Sequence, residues 1–142
     1  WHCKPEPAVE EGLWLAQRPE THAMIDISDG IASDLNHIIK SSAKGAEIDI
    51  SQVPISESLQ NAAPAHHWDA LDLALTGGED YRLLVTIDQD KSEELIQLYN
   101  QTFTTPLTPI GKITDDSSGH IQWIRNGQKI DLEKRGFNHF SK

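Results

Sequence analysis

The spacing of apolar residues divides the chain into alternating helical and extended segments. Val9, Leu13 and Ala16, with Trp14 and Leu15 beside them, predict a helical face over residues 8–17 that Pro19 stops. Ala23-Met24-Ile25-Asp26-Ile27 reads as a buried strand. Gly30 follows, and Ile31, Leu35, Ile38 and Ile39 then fall on one helical stripe that should end near Lys44-Gly45. Ile48 and Ile50 alternate with Glu47 and Asp49, the period of a half-buried strand over 46–50, and Pro54 with Ser56 opens a short helix through Ala63. Residues 69–75 read as helix and 81–87 as strand. Leu95, Ile96, Leu98 and Tyr99 mark an amphipathic helix over 92–103. The end is a hairpin: strands over 111–114 and 120–125, then the two-residue Asn126-Gly127 turn leading into 129–132.

Strand, helix, strand, helix followed by a terminal hairpin predicts an α/β (α+β) fold. The expected architecture is a mixed β-sheet covered by helices, not an all-parallel doubly wound domain. At 142 residues the chain has the length of one domain. It opens on Trp1 without a methionine, and Lys4-Pro5-Glu6-Pro7 reads as an extended connector. The chain is therefore expected to be a piece of a longer protein.

A net charge of −10 argues against sequence-independent binding of nucleic acid, which needs clustered Lys and Arg. No apolar run approaches the roughly 20 residues that cross a bilayer, so no membrane partner is expected and a cytoplasmic location is the default. The single cysteine, Cys3, cannot form an internal disulfide. An acidic chain that handles a phosphate compound needs divalent cations between its carboxylates and the phosphate oxygens.

Three segments could carry such chemistry. In Asp26-Ile27-Ser28-Asp29-Gly30 a strand delivers two carboxylates and a hydroxyl to the first turn of a helix, whose unpaired N–H groups favour phosphate. Asp26 and Asp29 could share a hard cation; equally, Ser28 or Asp29 could be an ordinary N-cap. Gly77-Gly78-Glu79-Asp80-Tyr81 is a glycine pair followed by two acids ahead of a strand, suited to close approach of a ligand or to a tight turn. Gly136-Phe137-Asn138-His139-Phe140 puts aromatic rings near the C-terminus, to dock on the core or stack on a planar ligand. No Walker loop occurs. His66-His67 with Asp69 makes a poor metal site, because adjacent imidazoles diverge and a third ligand is lacking. Trp14, Trp68 and Trp123 read as packing residues.

Taken together and in this order, Pro5 with Pro7, Ile25 to Gly30, Ile50 to Pro54, Gly77 to Tyr81, and Gly136-Phe137 with His139-Phe140 resemble the C-terminal half of the thiamine-monophosphate kinases. That family lies within the aminoimidazole-ribonucleotide-synthetase-like superfamily. Ala8 and Arg82 depart from the family pattern, at positions given no chemistry. The resemblance implies ATP-dependent phosphorylation of thiamine phosphate to thiamine diphosphate by direct transfer, assisted by magnesium. It implies Asp26 and Asp29 as Mg2+ ligands, Ser28 as a contact to the ATP phosphates, and Glu79 and Phe137 as thiamine-phosphate contacts. It also implies that residues 1–142 are the single C-terminal domain of a longer two-domain kinase, with 1–7 a connector from an absent N-terminal ATP-binding domain that holds most of the ATP site, so that this domain alone should be inactive and the full-length protein a homodimer. The competing readings are another ATP-dependent member of the superfamily, such as a synthetase or a selenophosphate-forming enzyme, and a non-catalytic binding or dimerisation module. The last would turn Asp26 or Asp29 into the protein as a cap.

Overall fold

The stripe of Ile31, Leu35, Ile38 and Ile39 folds as the longest helix of the domain and supplies much of its core, with Leu35 and Ile39 almost wholly enclosed. A computed structural model describes residues 7–78 and 81–132. In chain order these form α1 (Val9–Ala16), β1 (Thr21–Asp26), α2 (Ile31–Ser42), β2 (Gly45–Asp49), α3 (Glu57–His66) and α4 (Ala70–Thr76), followed by β3 (Leu83–Ile87), α5 (Ser92–Thr102), β4 (Gly111–Thr114), β5 (Ile121–Arg125) and β6 (Gln128–Ile130). The elements follow the apolar periodicities closely, and the α+β class with a mixed sheet is the one observed.

The strands divide between two sheets where one was expected. β4, β2, β5 and β6 form a four-stranded mixed sheet in that order, in which β2 runs parallel to β5 and antiparallel to β4. β1 and β3 form a separate antiparallel pair, with Asp26 opposite Leu83. The β5–β6 hairpin turns at Asn126 and Gly127, both with positive φ, as an Asn-Gly type I′ turn requires. The core joins α2, the inner face of β2 and Trp123 of β5 with Ile27, Ile50, Leu75 and Leu132.

Two local expectations change. The helical face read from Val9, Leu13 and Ala16 points to solvent, while α1 buries Leu15, as the chain does Ala8 just before it. The side chain beside that stripe decides the rotation: Trp14 packs edge-on against Tyr99 and Phe103 of the α5 end and carries the Arg18 guanidinium over its ring at 4.0 Å. At the end of α2 it is Ala43, not Gly45, that takes the left-handed C-cap conformation. Its N–H closes the helix on the carbonyls of Ile39 and Lys40.

Candidate functional site

The strand-to-helix turn after β1 is built from three directions. Ile27, buried, is tied by two backbone hydrogen bonds to the chain entering β3: its N–H donates to the Arg82 carbonyl at 2.7 Å, and the Tyr81 N–H donates to its carbonyl at 3.0 Å. Gly30, the N-cap of α2, has φ of +101°, a conformation that side chains rarely adopt. A Cβ at Gly30 would lie 2.9 Å from the Leu75 carbonyl oxygen, and a Cβ at Gly78 would lie 2.2 Å from the Ser28 carbonyl oxygen. The first and second sequence segments are thus packed backbone to backbone. The glycine pair gains its close approach to another loop of the protein.

The N-cap reading of Ser28 and Asp29 does not hold. The cap position of α2 is Gly30, and no side chain caps the helix there. Asp26 and Asp29 are both exposed, and among the described residues neither carboxylate accepts a hydrogen bond or joins a salt bridge. Ser28 lies between them, half-buried.

The amide groups ahead of the helix cap are paired within the protein. The N–H groups of Ser28 and Asp29 both donate to Oδ2 of Asp34, at 3.0 and 3.1 Å. They are committed within the protein, which leaves the Ser28 hydroxyl and the Asp26 and Asp29 carboxylates as the polar side-chain groups of the turn. Asp34 is the residue the sequence reading missed. It sits on the apolar stripe of α2, between Ile31 and Leu35, and is only 1% exposed. An acid on the buried face of an amphipathic helix is itself the signal that could have found it, since an unpaired buried carboxylate is strongly disfavoured.

Glu79 and Phe137 lie outside the described residues, as does most of the 1–7 connector, Cys3 included. Among the described residues there is no group of three or more His, Cys, Asp or Glu side chains placed to hold a metal ion. Asp26 and Asp29 are hard oxygen donors suited to Mg2+, but as a pair they make only part of a ligand set. His66 is not drawn into such a site: its ring stacks on Trp68 at 4.5 Å, and His67 adopts the left-handed C-cap of α3. An apolar cleft of about 390 Å³ between β3 and residues 105–113 includes none of Asp26, Ser28 and Asp29 in its lining. No described helix is long and apolar enough to cross a membrane.

Residues 4–124 match the family model of the AIR synthase related protein, C-terminal domain. A thiamine-monophosphate kinase of Buchnera aphidicola subsp. Schizaphis graminum is 40% identical over 139 residues, 98% of this chain and 41% of the relative. The crystal structure of thiamine-monophosphate kinase from Stenotrophomonas maltophilia K279a is 36% identical and superposes with a TM-score of 0.72, covering 89% of this chain and 37% of that one. AaThiL complexed with AMPPCP and TMP is 26% identical with a TM-score of 0.61, covering 80% of this chain and 32% of that one. The chain thus spans about 41% of the length of the curated relatives it matches. With the fold and the family match over 4–124 in agreement, this chain belongs to the AIR synthase related protein family, as its C-terminal domain.

Proposed function

We propose that this domain is the C-terminal part of an ATP-dependent kinase that phosphorylates thiamine phosphate to thiamine diphosphate. The observation that carries the site is the exposure of Asp26 and Asp29, both without a partner among the described residues, on a turn whose backbone is fixed from three sides. The substrate class is supported by relatives named thiamine-monophosphate kinase that match nearly the whole chain, and by the likeness to AaThiL complexed with AMPPCP, an ATP analogue, and TMP.

In this reading Asp26 and Asp29 hold Mg2+, Ser28 contacts the ATP phosphates through its hydroxyl, and Glu79 and Phe137 contact thiamine phosphate. Magnesium, when bound, supplies positive charge against the repulsion between two polyanions. The acceptor is a phosphate oxyanion at neutral pH, so no general base is required of this chain. Its task is to orient: a rigid turn with two outward carboxylates keeps the attacking and leaving oxygens in line. The remaining ligands and most of the ATP contacts belong to the N-terminal domain, so this domain alone is inactive. The full-length protein acts in the cytoplasm as a homodimer.

The test is an assay of the full-length enzyme with thiamine phosphate, ATP and Mg2+. Formation of thiamine diphosphate is expected, and its absence in a folded, ATP-binding protein would assign the domain to another chemistry of the same family.

A further inference from the structure

The Ser28–Asp29 turn is held by a carboxylate that no ligand can reach. Asp34 occupies the fourth position of α2, within the stripe of Ile31, Leu35 and Ile38, and is 1% exposed. A charged group there is tolerated only when its oxygens are hydrogen-bonded. One oxygen accepts both the Ser28 and the Asp29 N–H, at 3.0 and 3.1 Å. This is not helix capping in the usual sense. The two amides precede the cap residue Gly30, and the acid reaches back from inside the helix past the cap. Its effect is to fix two consecutive peptide units with their N–H groups turned inward while Asp29 stays exposed.

We propose that Asp34 is the positioning residue for the cation site: by binding the Ser28 and Asp29 amides it sets the angle at which Asp29 meets the metal relative to Asp26. The inference rests on the reading of Asp26 and Asp29 as metal ligands. Partners that orient ligands in this way typically change metal affinity about 10- to 100-fold when removed. Asp34→Ala removes the acceptor and leaves two amides without a partner. Asp34→Asn keeps one acceptor oxygen but loses its charge, and hydrogen bonds to an ionised acceptor are roughly twice as strong as neutral ones.

The experiment uses the full-length enzyme and Mn2+ alone as the probe, followed by electron paramagnetic resonance, with amide exchange of the peptide spanning Ser28 and Asp29 read by mass spectrometry. Asp34→Ala is expected to weaken Mn2+ binding about 10- to 100-fold and to speed exchange at the turn, with Asp34→Asn between it and the wild type. Ile39→Ala, a core variant of the same helix, lowers the melting temperature and should leave Mn2+ affinity unchanged. The proposal is overturned if folded Asp34→Ala binds Mn2+ like the wild type, or if Ile39→Ala weakens binding equally. Should Asp34→Ala not fold, wild-type affinity and exchange in Asp34→Asn overturn it instead. Asp26→Asn and Asp29→Asn separate the two levels: if neither weakens Mn2+ binding, the ligand assignment itself fails. If they do and the Asp34 variants do not, only the role of Asp34 is lost.

Discussion

Gly78 and Ser28 are in backbone contact so close that a Cβ on Gly78 would lie 2.2 Å from the Ser28 carbonyl oxygen. Both sides of that contact are main chain, so neither can swing aside as a long side chain would. Gly78→Ala is expected to displace the Ser28 turn and to destabilise the domain by about 1–3 kcal/mol, the usual range for overpacking. Turnover of the full-length enzyme should fall with it. Thermal unfolding and steady-state kinetics of the same preparation check both, and an unchanged protein would mean that the two loops separate freely.

Asp29→Asn should behave in the opposite way. The residue caps nothing and is exposed, so its replacement should change stability by less than about 0.5 kcal/mol. If it holds a cation, turnover should drop about a hundredfold or more, equivalent to about 2.7 kcal/mol in the barrier. A large loss in melting temperature with normal turnover would return Asp29 to a structural role.

The core offers a contrast with α1. Leu35 is 2% exposed within the main cluster, and Leu35→Ala should cost about 2–5 kcal/mol in chemical denaturation. Leu13, on the outward face of α1, is 61% exposed, and Leu13→Ser should cost less than about 0.5 kcal/mol in this chain. Equal effects would contradict the observed rotation of α1.

One surface pair gives a pH signature. Lys44 donates to Asp115 at 2.7 Å, and this hydrogen bond, followed by the charge of Lys44, holds the Asp115 carboxyl below the usual carboxylate range. A lowered folded-state value means that the pair stabilises above the ordinary carboxylate pKa and loses its effect as pH falls through the depressed one. In an NMR titration of this chain, Lys44→Met should move the Asp115 midpoint upward, and high salt should shift the wild type the same way. A midpoint indifferent to Lys44 would show the pair to be absent in solution.

Much of the fold was legible because the apolar stripes of α2 and α5 and the Asn126-Gly127 turn are local patterns. The partition into two sheets was not, since β1 finds β3 and β2 finds β5 across long stretches of chain that no short window covers. The same limit explains the C-cap of α2. Gly45 looks like the natural terminator, but a Cβ there would meet Thr114 Oγ1 at 2.7 Å, so the glycine serves the crowded start of β2 and Ala43 takes the cap. At the candidate site, residues 26–30 stood out in sequence, but taken alone they looked more like a helix cap than a metal site. Gly30 takes the cap position itself, and the Ser28 and Asp29 amides are held from the buried face by Asp34, one acid that an apolar pattern hides among isoleucines.

The pairing of Asp26 with Leu83 has a consequence for how the protein is made. More than fifty residues separate the two, and the turn after β1 leans on Leu75, Gly78, Tyr81 and Arg82 as well. Contacts of such separation cannot form until both partners are present, and they are slow to close. During synthesis, a ribosome that has finished α2 has therefore exposed both carboxylates without the frame that aims them. The nascent chain acquires the geometry of this turn only after β3 has emerged and paired.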